Sequence, residues 1–149
     1  MKLSWWAEVI GTVAVVVSLG FVAYELRQNT EAVRIANHQS LVAMDIDKNE
    51  WLRDADFASI YVLARTDFEK LTPVQARQYR TYIADTFNAW EFAHITHTSG
   101  AMSDTIWAGW DGYYRSELAT DGGRVFWRQS GRNFSPDFRA YVDSIVAGL

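Results

Sequence analysis

Three polar side chains in one segment have the spacing of metal ligands. Glu91 and His94 form a Glu-x-x-His pattern, the i, i+3 arrangement that carries iron ligands in di-iron helical bundles. His97 follows one turn later, and His38 could contribute from another helix to a divalent-ion site. A di-iron site needs a second Glu-x-x-His, which the sequence lacks. We therefore predict no metal and no cofactor, with Glu91, His94 and His97 as the candidate ligands should one bind.

A second pattern imitates a calcium loop. Asp45, Asp47 and Asn49 match the first, third and fifth positions of an EF-hand loop, and Asp56 falls at the twelfth. Glu50 stands where the sharp turn of that loop needs glycine, and the surrounding pattern is helical. We therefore predict a helix here and no calcium site.

Three arginines, Arg124, Arg128 and Arg132, form a basic line at i, i+4 and i+8. Such a line could face anionic lipid or an acidic partner, at about 1 kcal/mol per residue near a membrane. The alternative, which we favour, is a solvated helix face that pairs locally with Asp121 or Glu117.

The remaining composition argues against catalysis. The 149 residues contain no cysteine, which excludes disulfides, thiolate zinc sites and cysteine nucleophiles. No Ser-His-Asp order, phosphate-binding loop or zinc-hydrolase motif is present. The formal net charge of -4 argues against a general affinity for nucleic acid. We predict a protein that is not an enzyme and has no nucleic-acid partner.

The elements that would position these residues are all helical. Thr72-Pro73 and Ser103-Asp104 are typical helix starts, and Ser99-Gly100 is typical of a helix end. We predict that Asp121-Gly122-Gly123 stops a helix and that Ser135-Pro136 starts the last one. Strict two-residue alternation persists nowhere, so the fold class is all-α, with an antiparallel bundle of about four or five helices after a single N-terminal helix. Apolar residues recur near helical spacing in one segment: Val33, Ala36, Leu41, Met44, Trp51 and Leu52. The helix from Pro73 carries a clear apolar stripe: Tyr79, Tyr82, Ile83, Thr86, Phe87, Trp90 and Ala93. The predicted buried side of the last helix is Phe138, Tyr141, Val142, Ile145 and Val146.

The N-terminal helix is predicted to cross a membrane. The run from Trp5 to Tyr24 is apolar except for Glu8, and about 20 apolar residues span a hydrocarbon core. Its ends carry residues that favour the membrane interface: Trp5, Trp6, Tyr24 and Arg27. We therefore predict an anchor over residues 1–27 and a helical domain over 28–149. A cleaved signal peptide ending near Ser18-Leu19-Gly20 is the alternative. After Tyr24, either Thr30 caps a second helix or the anchor continues as one rod.

Four small residues of the anchor, Ala7, Gly11, Ala14 and Ser18, share one face at i, i+4, i+7 and i+11. Small residues let helix backbones approach closely in lipid, so this face is a candidate seam for a partner helix, with Glu8 beside it. The competing interpretation is that small residues are simply common in such helices. The Lys and Arg residues near the helix ends favour a cytoplasmic C-terminal domain.

A series of short motifs follows in order over nearly the whole chain: WAEVIG, VSL, ELRQNT, FNAWEFA, WAGW, GGRVFW and FSPDFRAYVD. Together they resemble a family of uncharacterised small bacterial proteins with one N-terminal transmembrane helix and a Trp-rich helical domain. The resemblance implies a single-pass protein of the bacterial inner (cytoplasmic) membrane and no established activity. That family often carries aromatic residues at the positions of His94 and His97.

The leading functional hypothesis is a non-catalytic accessory or structural subunit that contacts membrane lipid and docks the transmembrane helices of a larger membrane complex. Bioenergetic complexes are natural candidates because they recruit many one-helix subunits. The alternative is a membrane-tethered sensor or small-ligand-binding helical module. A metal-dependent enzyme built on Glu91 and His94 is the third hypothesis.

Overall fold

The structure, a computed structural model, describes residues 2–148 and, within them, the side chains of residue 6 and residues 8–148. The helices it contains are α1 (Lys2–Glu50), α2 (Ala55–Thr66), α3 (Pro73–Thr98), α4 (Asp104–Leu118), α5 (Asp121–Ser130) and α6 (Pro136–Val146). Short 3₁₀ turns cover Trp51–Arg53, Phe68–Lys70 and Gly131–Asn133. No strand occurs over residues 2–148. The predicted all-α fold class is confirmed.

The chain forms two compact units that divide after Ala36. The predicted boundary at residue 27 differs from this division and stays a prediction for the anchor itself. Helix α1 continues without interruption past Thr30, whose hydroxyl donates to the carbonyl oxygen of Leu26 at 2.9 Å. That bond is made inside a helix, so Thr30 does not cap a second one. Of the two alternatives, continuation of the helix past Thr30 is confirmed.

The predicted start of α3 is confirmed in detail. The Thr72 hydroxyl accepts from the Gln75 backbone N–H at 3.3 Å, and the Gln75 side chain accepts from the Thr72 N–H at 2.9 Å. This reciprocal capping box, with Pro73 at the first helical position, satisfies donors that would otherwise lack partners. At the other end Gly100 adopts a φ of 76°, which a glycine tolerates without strain.

The prediction that Gly122 and Gly123 stop a helix is wrong. Helix α4 already ends at Leu118, and both glycines lie in the first turn of α5, behind Thr120, whose hydroxyl accepts from the Gly123 N–H at 3.0 Å. A Cβ on Gly123 would overlap the carbonyl oxygen of Glu117. The glycines therefore permit α5 to start immediately against the end of α4.

The core of the second unit is aromatic. The predicted stripe of α3 is buried along its whole length, and Phe87 stacks on Trp127 of α5 at a centroid distance of 5.6 Å. Trp90 is fully buried and meets Phe138 of α6 edge-to-face at 5.4 Å. Such ring pairs stabilise a fold beyond their buried area, by about 0.5–1.5 kcal/mol each. They hold α3, α5 and α6 together.

Two other apolar faces are only partly buried, and for the last helix the predicted burial is wrong at Val146. On α1 Leu41 is fully buried, whereas Val33 and Met44 are exposed, as is Trp51 in the 3₁₀ turn that follows. On α6 Phe138 and Val142 are buried, but Val146 is exposed. Helical spacing identifies an apolar face, yet it does not say which face of a helix meets the neighbouring elements.

Candidate functional site: an apolar helix and two buried polar networks

The apolar part of α1 has the length and composition needed to cross a membrane. An 18-residue window of it has a mean hydropathy of 2.0, and none of that window is buried within the protein. Val16, Leu19 and Phe21 are each more than 60% exposed. A run of large apolar side chains with no protein neighbours is typical of a surface covered by lipid or by another protein.

The small-residue seam lies on this exposed helix. A Cβ built on Gly11 would meet nothing within 4 Å, so the backbone there is open to a neighbour. The Ser18 hydroxyl donates to the Ala14 carbonyl at 2.8 Å, which satisfies it within the helix. Glu8 is exposed beside the seam. The side chains of Ala7 and of Trp5 lie outside the described residues.

The other residues predicted to lie at the membrane interface are also exposed. Trp6 and Tyr24 each retain 58% of their surface, and the Tyr24 hydroxyl accepts from the Gln28 amide at 2.8 Å. Arg27 is exposed on the next turn of α1. Amphipathic rings with a polar tip are the residues that occupy membrane–water interfaces.

The three candidate metal ligands make different contacts within the helical domain. Glu91 accepts the Ser135 backbone N–H at 2.7 Å, which ties α3 to the start of α6. His94 packs against Tyr141 at 4.8 Å, and His97 stacks on Trp107 at 4.9 Å. No group of three or more potential metal ligands occurs in the described part of the chain. His38 lies apart from them, edge-on to Trp110 at 6.4 Å, and Asp45, Asp47 and Asn49 lie in helix α1.

Burial also changes the protonation of His94. Desolvation lowers its pKa below the ordinary value, and the neighbouring His97 acts in the same direction. Asp137, Asp111 and Glu91 oppose that shift without reversing it. His94 therefore stays neutral at neutral pH, in an aromatic setting that suits an uncharged ring.

Arg124 and Arg128 lie on α5 and Arg132 in the 3₁₀ turn after it, and all three are exposed to solvent, as favoured above. Arg124 donates to the Ala119 carbonyl and lies 4.0 Å from Asp121, while Arg128 and Arg132 are exposed. Glu117, the other predicted partner, is buried and pairs elsewhere. The expectation of local pairing thus holds for Asp121 and is wrong for Glu117.

Asp111 is a buried acceptor that the sequence patterns did not single out. Its Oδ1 accepts from the Trp90 indole at 3.0 Å and from the Tyr141 hydroxyl at 2.6 Å, and its Oδ2 accepts from Arg115 Nε at 2.6 Å. Burial, reinforced by Asp111, raises the pKa of Tyr141 to about 12, so this hydroxyl keeps its proton and donates. The carboxylate therefore links α3, α4 and α6. The feature of the sequence that could have identified Asp111 is its position as an acidic residue inside the aromatic run WAGWDGYY.

Glu117 forms a second buried network on the other side of α4. Its Oε1 accepts from the Tyr61 hydroxyl at 3.0 Å and pairs with Arg65, which also donates to Tyr61 at 2.7 Å. Burial raises the pKa of Tyr61 above its ordinary value, and the Glu117 charge adds to the shift. Both networks join helices through hydrogen bonds to a charged carboxylate. A buried charge is tolerated only when it is paired, and the partners here come from neighbouring helices.

Comparison with protein families, with characterised proteins and with solved structures finds no match. The expected bacterial family is therefore not shown for this chain. The two features on which that expectation rested are present in the structure, namely one long apolar N-terminal helix and a Trp-rich helical region. The functional conclusion consequently rests on the residues and their geometry.

Proposed function

We propose that the protein is a non-catalytic, single-pass membrane protein that docks a larger membrane assembly through helix α1. The observation that carries this proposal is the unburied apolar surface of α1 over the window of high hydropathy. Fully covering one Val, Leu or Phe side chain is worth about 1.5–3 kcal/mol, so a run of such residues strongly favours lipid or a protein cover. We further propose the bacterial inner membrane as the location, with the helical domain on the cytoplasmic side.

The small-residue seam supports docking to a partner helix in addition to membrane anchoring. Lipid covers apolar side chains as well as a protein does, so anchoring alone would not require small residues on one face. Gly11, Ala14 and Ser18 leave a shallow face on which a second helix can pack at close range. A membrane complex built from many helices, such as a bioenergetic complex, offers such partners.

The buried polar groups support a structural role for the helical domain. Among the described side chains, the buried carboxylates are Asp111 and Glu117, and both oxygens of Asp111 and Oε1 of Glu117 accept hydrogen bonds from other side chains. The alternative of a tethered ligand-binding module needs an enclosed pocket, and the grooves found on the second unit lie at its surface. It remains a hypothesis with less support.

The seam is tested by exchanging its small residues for large apolar ones, which keeps the segment apolar and fills the face. Gly11→Leu with Ala14→Leu should fill the face and release the protein from its partners in native co-purification from the source membrane. Val13→Leu with Val16→Leu, on the opposite face, is the matched control and should leave co-purification unchanged. Equal recovery of partners with both pairs would refute docking through the seam.

Anchoring is tested separately from docking. The intact chain should stay with the membrane after alkaline carbonate washing, and protease added to inside-out vesicles should remove a C-terminal tag. Mass measurement of the mature protein distinguishes an anchor from a cleaved signal peptide. A mature protein that lacks the residues before Gly20 would refute the proposal.

A further inference from the structure

An exposed tryptophan lies between two grooves in the second unit. Trp51 follows the last residue of α1 and keeps 39% of its surface exposed. One groove, of about 860 Å³, runs from Trp51 toward Phe57 and Ile60 of α2. The other, of about 350 Å³, lies between α1 and α3, with Met44 and Ala89 among its apolar side chains. Trp51 lines both grooves.

The two grooves are strongly acidic. Within the described chain their linings include five carboxylates and one basic residue, Lys48; the carboxylates are Asp47, Glu50, Asp54, Asp56 and Asp85. All five are exposed. Several like charges around two adjoining grooves create a negative potential that attracts cations.

Internal pairing offsets only part of this charge. Lys48 lines the smaller groove, but it is buried, its ammonium lies 2.9 Å from Asp45 and it donates to the Tyr113 hydroxyl at 2.7 Å, so its charge is already paired within the protein. Glu50 pairs with Arg53 at 2.9 Å, and both of those side chains are exposed.

Three of the carboxylates have no partner of their own. Asp54 caps α2 by accepting the Phe57 N–H at 2.8 Å, which leaves its negative charge in place. Asp47, Asp56 and Asp85 make no hydrogen bond or ion pair with any described residue. They are therefore free to meet a cationic partner.

We propose that this acidic Trp51 surface binds a Lys- or Arg-rich segment of another polypeptide. The indole offers a face for a cationic side chain, the apolar groove walls accept aliphatic stems, and the carboxylates pair with the charged tips. A small molecule is a poorer fit, because ligand sites bury most of the ligand and these grooves are lined mainly by exposed residues. An exposed tryptophan ringed by complementary charge is instead typical of a protein–protein hot spot.

The surface is held in shape without a partner. Trp51 meets Phe57 edge-to-face at a centroid distance of 5.3 Å, which orients the indole and leaves the rest of it open. Asp85 lies on α3, whose start is fixed by the capping box at Thr72. Such preorganisation lowers the cost of ordering side chains on binding.

The test uses the full chain in nanodiscs of zwitterionic phosphatidylcholine, which carry no net charge. The probe is a fluorescein-labelled amphipathic Lys/Leu peptide, followed by anisotropy, with a Glu/Leu peptide of equal length as the negative control. We expect binding of the Lys/Leu peptide only, weakening steeply as salt rises from about 50 mM to about 300 mM. Asp47→Asn with Asp85→Asn should weaken binding about fivefold. Trp51→Ala should weaken it about tenfold.

Control variants distinguish binding at the Trp51 surface from a general effect of charge. Trp51→Phe retains an aromatic contact with Phe57 and should recover part of the affinity. Glu69→Gln with Asp137→Asn neutralises two exposed carboxylates away from the grooves and should leave binding unchanged. An equal loss with this pair, binding of the Glu/Leu peptide, or tighter binding of spermine than of the peptide would overturn the proposal. So would self-association of the protein alone that the Trp51→Ala variant abolishes, since the surface would then bind a second copy.

Discussion

Replacing Asp111 by asparagine or by alanine separates the value of a buried acceptor from the value of a charge. Both Trp90 and Tyr141 donate to Oδ1, while Arg115 donates to Oδ2. Asparagine can keep an oxygen at the Oδ1 position and gives up only the charged pairing with Arg115. Alanine removes every acceptor.

The expected magnitudes follow from exposure. Trp90 is fully buried, so its N–H without an acceptor costs about 1–3 kcal/mol. The half-buried Tyr141 hydroxyl adds about 1 kcal/mol, and the better helix propensity of alanine returns about 0.5 kcal/mol. The Arg115 side chain is 44% exposed, so losing its pairing with Asp111 costs at most about 1 kcal/mol. We therefore expect Asp111→Ala to lower the free energy of unfolding by about 3 kcal/mol and Asp111→Asn by about 1 kcal/mol.

The assay is urea unfolding of the full chain in dodecyl maltoside, followed by near-ultraviolet circular dichroism of the buried tryptophans. With a urea slope of about 2 kcal/mol per molar, the two variants should differ by about 1 M in midpoint. A Trp90→Phe background is the control, because it removes the indole donor and should reduce the cost of Asp111→Ala by about 1–2 kcal/mol. Equal destabilisation by asparagine and alanine would refute the reasoning, since the Arg115 charge and not the buried acceptor would then be decisive.

Two further outcomes concern the fold of the second unit. Gly123→Ala should destabilise it by about 3 kcal/mol or more, because the new Cβ overlaps the Glu117 carbonyl oxygen, whereas Gly112→Ala, with open space around it, should be neutral or slightly stabilising in the same urea assay. Stability should also fall as the pH drops below about 6.5, because the unfolded chain protonates His94 there while the folded chain, with its lowered His94 pKa, does not. His94→Phe should flatten this dependence in urea titrations between about pH 7 and about pH 5, and an unchanged slope would contradict the assignment to His94.

Local chemistry was enough to predict much of this fold. The Thr72 capping box and the aromatic stripe of α3 are both determined by residues within a few positions of one another. Both can therefore be predicted from the sequence alone. The apolar run of α1 is equally local, because length and hydropathy alone make it a candidate membrane span.

The errors concern contacts between distant residues. Gly122 and Gly123 resemble a stop signal locally, yet their lack of a side chain serves the approach of α5 to the end of α4. Asp111 and Glu117 accept hydrogen bonds from Trp90 and Tyr61, which are 21 and 56 positions away in the sequence. Trp51 continues the helical spacing of the apolar residues in α1, whereas in the structure it lies in the 3₁₀ turn after α1 with its indole exposed. Such residues are identified only once the packing of the helices is known.

The acidic Trp51 surface and the apolar α1 are chemically suited to the same surroundings. The cytoplasmic loops of membrane proteins carry an excess of Lys and Arg close to the bilayer. A domain tethered by α1 on that side would meet such loops at high effective concentration. Its carboxylates, including Asp47 and Asp85, would be repelled by the anionic lipid surface and attracted by the basic loops. An acidic surface on a tethered domain therefore favours a neighbouring protein over the lipid beside it, which is the selectivity that a docking subunit needs.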